Sequence, residues 1–144
     1  MPLLNYTTTV PADKSIAAIQ KALAKAGAST ILHEYDQNGN IIALSFRIKF
    51  DDKDISFRLP TDWRVVQKRL EAQRVEPRYR TQEQALRVAW RITKDWVEAQ
   101  LAIIETQMVT TAQVFLPYAV TANGQTLYEY IAQNTQLLLG EGYK

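Results

Sequence analysis

The 144-residue sequence predicts an α+β fold in which helices cover one face of a single antiparallel sheet. Two β-type runs flank Asn38-Gly39, a pair that is typical of a tight hairpin turn. After Pro60 the spacing of apolar residues changes from two to about 3.6, which indicates that helices follow the strands. Thr81 with Gln84 forms a capping-box pattern at the start of a long apolar helix. The predicted order of elements is β-α-β-β-β-α-α-α.

The length fits one domain, residues 1–144, with a strand, a helix and a three-stranded meander in residues 1–60 and helices in residues 61–144. Leu3 to Val10 is rich in Thr, Leu and Tyr and predicts a strand that ends before Pro11. The following helix has Asp13 as its expected N-cap and Gly27 just beyond its end.

The meander has a predicted register that follows from two-residue turns at Asn38-Gly39 and Asp52-Lys53. In that register one face of the sheet collects the apolar residues and the single histidine, namely Ile31, His33, Tyr35, Ile42, Leu44, Phe46, Ile48, Phe50, Ile55, Phe57 and Leu59. Because a slip of one residue would move them all to the other face, this agreement supports the register.

The second half of the chain begins with a short helix that includes Trp63 and Leu70 and ends before Pro77. The long central helix then runs from Thr81 to about Thr106. It is apolar over most of its circumference, so it is expected to be central to the core or covered by a second subunit. A short turn before Pro117 and a helix capped by Thr126 complete the prediction.

The composition excludes several classes of chemistry. The chain has no cysteine and one histidine, and its net charge is +2. It carries no phosphate-binding glycine loop, nucleophile elbow or zinc motif. We therefore expect no catalytic residue, no cofactor and no metal site, and we interpret His33 as a core or rim residue. No apolar run reaches the roughly 20 residues of a membrane span, and the first residues lack the pattern of a secretory signal.

The polar face of the predicted sheet carries a candidate anion-binding group of Arg47, Lys49 and Arg58. The predicted register places Arg47 directly opposite Arg58, which is unfavourable for two like charges. Either carboxylates from elsewhere in the fold, such as Glu34, or an anionic ligand should compensate. Both alternatives remain open from the sequence.

A second candidate group, Arg74, Arg78, Tyr79 and Arg80, lies on the linker between two helices. The surrounding segment, residues 61–95, contains nine cations and five carboxylates, so its local charge is +4. A basic loop can follow a phosphate backbone while a tyrosine stacks on a base. Ion pairs of an ordinary solvated helix, such as Glu83–Arg87, are the alternative explanation for part of this charge.

The aromatic residues suggest a surface for self-association. Trp90 and Trp96 fit core positions of the long helix. Residues 115–118, of sequence Phe-Leu-Pro-Tyr, with Tyr128, Tyr130 and Tyr143 would suit the interface of a homo-oligomer, since aromatic residues dominate interface energetics. The apolar residues 137–139 are expected to dock on the domain or on a partner.

Three segments carry a resemblance to known proteins. They are residues 57–60 (Phe-Arg-Leu-Pro), residues 88–100, which contain Ala-Trp-Arg-Ile and Lys-Asp-Trp-Val-Glu-Ala-Gln, and residues 115–129, which begin Phe-Leu-Pro-Tyr and end Thr-Leu-Tyr-Glu. In these segments the chain resembles small uncharacterised proteins of bacteriophages, prophages and mobile elements. The resemblance implies a setting in the cytoplasm of a bacterial host and a role in binding, without assigning any residue.

The combined expectation is a non-enzymatic phage or mobile-element protein that binds nucleic acid or a nucleoprotein complex. An inhibitor of a host defence system, such as an anti-CRISPR protein, is one concrete form. A protein that binds or sequesters a small ligand such as a nucleotide signal is one alternative. A structural or assembly protein is the other.

Overall fold

A three-stranded antiparallel meander and six helices make up the part of the chain that the computed structural model describes, residues 1–139. The strands are β1 (Thr30–Tyr35), β2 (Ile41–Phe50) and β3 (Lys53–Arg58), in the spatial order β1-β2-β3. The helices are α1 (Ala12–Lys25), α2 (Trp63–Ala72), α3 (Gln82–Glu105), α4 (Thr111–Phe115), α5 (Leu127–Gln133) and α6 (Gln136–Leu139). Short 3₁₀ turns at Pro77–Tyr79 and Leu116–Tyr118 connect them. The predicted α+β class, with its long helix, is confirmed.

The core lies between one face of the sheet and the helices α1 and α3. Trp90 of α3 and Phe46 of β2 are fully buried in it, together with Leu23 of α1 and Phe115 of α4. The stacked rings of Phe46 and Phe57 have centroids 5.3 Å apart, and Phe115 meets Phe46 edge-on. Burial of these large side chains is the main contribution to the stability of the domain.

The first hairpin differs from its predicted turn. A type I′ turn needs positive φ at both central residues, but of the Asn38-Gly39 pair only Gly39 has it, at 82°. The carboxylate of Asp36 accepts hydrogen bonds from the backbone N–H groups of Asn38 and Asn40, which stabilises a longer loop. The register consequently shifts after Glu34, so Tyr35 pairs with Ile41 rather than with Ile42.

The shift corrects the composition of the apolar face. Ile41 packs against the core where Ile42 was expected, and Tyr35 is exposed. Further from the loop the predicted pairs Ile31–Phe46 and His33–Leu44 are confirmed.

The second hairpin has its two-residue turn at Asp51-Asp52, one position before the predicted one. Both aspartates have positive φ, 46° and 67°, as a type I′ turn requires. The pairing of β2 with β3 is displaced by two residues from the prediction, so Phe46 faces Phe57 and Ile48 faces Ile55. A displacement of two keeps every side chain on its predicted face, but it changes each cross-strand neighbour.

The predicted strand Leu3–Val10 does not form. These residues make turns, and Asn5 has a φ of 64°. Side-chain amides satisfy this backbone instead: the N–H of Leu3 donates to Gln73, and Gln84 donates to the carbonyl oxygens of Tyr6 (2.9 Å) and Thr8 (3.0 Å). The prediction of a strand over Leu3–Val10 is therefore wrong.

The helix ends largely follow the sequence signals. Gly27 follows α1 with a φ of 106°, although the residue before the helix is Pro11 and Asp13 lies in the first turn rather than at the N-cap. The hydroxyl of Thr81 caps α3 by accepting from the N–H of Gln84. At α5 the capping box of Thr126 and Glu129 has both of its hydrogen bonds. In the described part of the chain, no helix is long and apolar enough to cross a membrane.

Candidate anion-binding surfaces

The face of the sheet that points away from the helices carries the first group of candidate residues. Along β2 the buried Leu44, Phe46 and Ile48 alternate with outward residues, so Arg47 and Lys49 are exposed. Arg58 at the end of β3 is exposed on the same face. The structure therefore places Arg47, Lys49 and Arg58 together, as the alternation along the strands predicts.

The partners of these three cations differ from the predicted ones. Arg47 lies opposite Ser56, whose hydroxyl accepts a hydrogen bond from its Nε at 3.2 Å, and not opposite Arg58. Lys49 lies opposite Asp54. Arg58 approaches Glu34 at 3.5 Å. The expected repulsion between two opposed arginines is therefore absent, and with it the reason to require an anionic ligand on this face.

Arg58 also contributes to the electrostatics of a neighbouring helix. The pKa of Glu129 in α5 is lowered mainly because the backbone N–H of Thr126 donates a hydrogen bond to its carboxylate, and in smaller part because the positive charge of Arg58 is near. Arg58 thus forms an ion pair with Glu34 of the sheet, and its charge also contributes to the lowered pKa of Glu129 in α5. We conclude that Arg58 interacts with carboxylates of its own chain and that these interactions account for its position.

The second group, on the linker between α2 and α3, divides into structural and exposed residues. Arg80 is half-buried, and its Nε donates a hydrogen bond to the carbonyl oxygen of Val75 while its own carbonyl accepts from Gln67 at 2.8 Å. The ring of Tyr79 packs edge-on against Tyr6, with centroids 5.4 Å apart. Arg80 and Tyr79 therefore hold the linker in place.

Arg74 and Arg78 are the exposed cations of the linker. Arg78 stacks over the ring of Tyr79 at 4.7 Å and forms an ion pair with Glu76 at 3.1 Å. Arg74 follows the end of α2 in the left-handed conformation, with a φ of 54°. Its side chain points into solvent, so of the four predicted linker residues Arg74 is the most available to a partner.

The outward face of α2 adds cations that the sequence analysis counted in the basic segment but did not select as a site. Arg64 and Lys68 are one helical turn apart, and Arg69 lies in the adjacent row, so the three share the exposed face. The opposite face contains the fully buried Leu70. The sequence does contain this information: when α2 is drawn as a helix with Leu70 facing the core, the three cations fall on the opposite side.

The cations of α3 behave differently. Arg87 pairs with Glu83 at 2.6 Å, Arg91 approaches Asp95 at 3.5 Å, and Lys94 pairs with Glu98 at 2.9 Å. Within residues 1–139, Arg64, Lys68, Arg69 and Arg74 have no such carboxylate partner. The unpaired positive charge of the basic segment is thus concentrated on α2 and the first residue after its C-cap.

A cleft of about 320 Å³ opens beside the buried side of α2. It lies between α2 and α3, and the aromatic side chains of Trp96 and Tyr118 contact each other on its wall, with centroids 5.5 Å apart. The hydroxyls of Thr61 and Thr93 are 2.8 Å apart within the same lining. An apolar cleft with a few polar groups is typical of small-molecule sites.

The histidine and the clustered aspartates, residue types that serve in metal and acid–base chemistry, are engaged in contacts of the fold. His33 is half-buried, and its ring contacts the side-chain amide of Gln20 in α1. Asp51 and Asp52 form the tight turn between β2 and β3. No group of three or more His, Asp or Glu side chains in the described residues is arranged to hold a metal ion. No protein-family model, curated protein or solved structure matches this chain.

Proposed function

We propose that this protein binds nucleic acid, alone or within a nucleoprotein complex, through the outward face of α2 and the exposed arginines of the following linker. The surface, here called the basic face, consists of Arg64, Lys68, Arg69, Arg74 and Arg78. The observation that carries the proposal is the contrast between α2 and α3. The cations of α3 are paired with carboxylates, whereas four of the five on the basic face have no carboxylate partner within residues 1–139.

The chemistry of the basic face suits phosphate groups. Arginine and lysine supply the positive charge that displaces counterions from a phosphate backbone, and this term needs no base-specific contact. Arg64 stacks on Trp63 at 5.4 Å and Arg78 on Tyr79 at 4.7 Å, which orders each guanidinium without neutralising it. We therefore expect affinity that depends strongly on salt and weakly on sequence.

Arg74 adds an independent argument. Glycine is the favoured residue at a left-handed position just after a helix, and a residue with a side chain is less stable there by about 1–2 kcal/mol. The chain has arginine at this position, with a φ of 54°. An exposed cation in a locally unfavourable conformation is consistent with a role in binding rather than in folding.

The resemblance to phage and mobile-element proteins supports a specific form of this proposal. The partner would be a nucleoprotein machine of the bacterial host, such as a CRISPR effector, with the protein acting in the cytoplasm as an inhibitor. We further propose that the protein acts as a homo-oligomer, since two copies present twice as many cations to one nucleic acid.

The test is a fluorescence-anisotropy titration of labelled DNA and RNA duplexes of random sequence at physiological salt concentration. We expect a Kd of about 10⁻⁴ to 10⁻⁶ M for the wild-type protein, which is the range of non-specific phosphate binding. The double substitution Lys68→Ala with Arg69→Ala should weaken binding by about an order of magnitude, because two phosphate contacts are lost.

A matched control separates the basic face from net charge. Lys21→Ala with Lys25→Ala removes two exposed cations from α1, which is a helix of the same domain without the proposed contacts. Affinity should be retained in this variant. Equal loss in both variants, or no binding by the wild-type protein, contradicts the proposal.

Binding of a small ligand is the second candidate function, and the cleft between α2 and α3 favours it. Its volume of about 320 Å³ and the two aromatic rings on its wall fit a planar molecule such as a nucleotide base. A nucleotide that binds there should raise the Tm in proportion to the logarithm of its concentration. The substitution Thr93→Val removes one of the two threonine hydroxyls in the lining and should reduce that shift in Tm.

A further inference from the structure

We propose that two copies of this chain associate through an uncharged apolar surface formed by the turn after α4 together with α5 and α6. This surface, here called the C-terminal surface, surrounds a groove of about 580 Å³ lined by Leu116, Pro117, Leu127, Tyr128, Ile131 and Leu138. The inference depends on the proposed homo-oligomer but not on nucleic-acid binding.

The first argument is exposure. Large apolar side chains stand in solvent on this surface: Leu116 is 49% exposed, Tyr128 65% and Leu138 71%. Leu137, beside Leu138 on α6, is also exposed. Monomeric proteins scatter single apolar residues over their surfaces but rarely collect several around one groove, and such a collection marks an interaction site.

The second argument is charge, and it selects the partner. Residues 106–139 contain one charged side chain, Glu129, in a protein of which 22% is charged. In a two-fold interface the same patch faces itself, so a patch with an excess of one charge sign meets the same excess on its partner. A surface without charges avoids this penalty. It also offers nothing to a polyanion, so the occupant that fits it is a second copy of the chain.

Glu129 does not break this pattern. Its carboxylate accepts the backbone N–H of Thr126 within the capping box of α5, and the charge of Arg58 lies nearby. The carboxylate of the one acid in the segment is therefore engaged at the N-terminus of its own helix.

The structure also corrects the predicted interface in detail. Phe115 is fully buried in the core, and Tyr118 packs on Trp96, so neither is available to a partner. Leu116, Tyr128 and Tyr130 are exposed, as a contact surface requires. Tyr143 lies outside the described residues.

Sedimentation velocity or light scattering on the full chain tests the proposal. The wild-type protein should have twice the 16.4 kDa chain mass. Tyr128→Glu with Leu138→Glu places two acids on the C-terminal surface and should give a monomer with an unchanged far-UV circular dichroism spectrum. Leu32→Glu is the matched control, since Leu32 is 58% exposed on the open face of the sheet, and this variant should remain a dimer.

Each other outcome overturns part of the account. A monomeric wild-type protein overturns both the homo-oligomer and its surface. If the variant with both substitutions is still a dimer, or if Leu32→Glu gives a monomer, the protein is a homo-oligomer but its interface is not the C-terminal surface. The assignment of the basic face as the nucleic-acid surface is tested separately and does not depend on these results, although a monomer would present fewer cations to one nucleic acid and should bind more weakly.

A second measurement is available if the double variant fails to fold. Because the chain has no cysteine, Tyr128→Cys provides a single site for a nitroxide label. Pulsed dipolar spectroscopy should then give a defined distance between the labels of two copies. A short distance is expected if Tyr128 lies in the interface, whereas a distance longer than the diameter of one domain, in a protein whose mass is doubled, would place the interface away from Tyr128.

Discussion

The indole Nε1 of Trp90 donates a hydrogen bond to the carbonyl oxygen of Ile41, 3.0 Å away. Trp90 is the largest fully buried side chain of the domain, and Ile41 is the first residue of β2. The bond therefore joins the middle of the long helix α3 to the end of the first hairpin, at the place where its register shifts. It fixes which residue of the pair Ile41 and Ile42 faces the core.

Two substitutions of Trp90 should separate packing from this hydrogen bond. Trp90→Phe keeps an aromatic ring but leaves the buried carbonyl of Ile41 without its donor, at a cost of about 1–3 kcal/mol in the free energy of unfolding. Trp90→Ala also leaves a cavity and should cost about 3–5 kcal/mol or prevent folding. Urea denaturation measures both values, and a wild-type midpoint for Trp90→Ala would place this residue on the surface.

Gln84 should hold the N-terminal segment on the helices. Its amide donates to the carbonyl oxygens of Tyr6 and Thr8 and is itself buried. Gln84→Ala should lower the free energy of unfolding by about 1–3 kcal/mol, because those carbonyls lose their donor. Hydrogen exchange should accelerate in residues 1–10 before it does so in the sheet. Unchanged exchange there would mean that other contacts hold the segment.

These contacts explain which parts of the fold the sequence could predict. Strand alternation and helix periodicity are local, so β1 to β3, α2 and α3 were recognised, as was the capping box at Thr126. The segment Leu3–Val10 has strand-like composition, but its hydrogen-bond partners are the acceptor Gln73 and the donor Gln84, about 70 residues or more away in the sequence. No local pattern contains that information.

The hairpin turns show a finer limit. Asn38-Gly39 is the preferred pair of a type I′ turn, but the carboxylate of Asp36 stabilises a longer loop by accepting two backbone N–H groups. Asp51-Asp52 forms the type I′ turn although aspartate is a weaker signal. These small changes in the turns alter which residues face each other across the strands. The prediction that Arg47 lies opposite Arg58 is therefore wrong, whereas the prediction that both lie on the same face of the sheet is correct.

The substitution Arg74→Gly should separate stability from binding. Glycine at the left-handed position after α2 relieves about 1–2 kcal/mol of strain, offset in part by its greater entropy in the unfolded chain, so the free energy of unfolding should rise by about 0.5–1 kcal/mol. The same change removes an exposed cation from the basic face and should weaken binding to a DNA duplex. A variant that is more stable and binds as tightly as wild type would remove Arg74 from the proposed interface.

Glu129 should make the stability of α5 depend on acid pH. Hydrogen bonds from Thr126 lower the pKa of its carboxyl below the ordinary value of 4.5. The stabilisation is therefore complete above about pH 4.5 and is lost as the pH falls through the lower pKa of the folded protein. Carboxyl chemical shifts should report that lower pKa, and Thr126→Val, which removes the hydroxyl but keeps the backbone N–H, should raise the pKa only part of the way toward 4.5. A pKa at or above 4.5 in the wild-type protein would mean that the capping box is open in solution.

The candidate site was predictable only in part. The sequence identified the basic segment and named Arg74 and Arg78, which are exposed. It also named Tyr79 and Arg80, which hold the linker through Tyr6 and Val75. Counting charges along a sequence does not reveal whether a cation has a carboxylate partner. The structure separates paired from unpaired cations, and for this reason the proposed interface includes α2 as well as the linker.

The salt dependence of duplex binding tests the basic face most directly. Each phosphate contact contributes about 0.9 to the slope of log Kobs against log salt concentration for B-form DNA. The variant Lys68→Ala with Arg69→Ala should therefore have a slope shallower than wild type by about 1.8, and Lys21→Ala with Lys25→Ala should have the wild-type slope. Identical slopes in all three proteins would contradict a phosphate contact at α2, and a wild-type slope near zero would contradict nucleic-acid binding altogether.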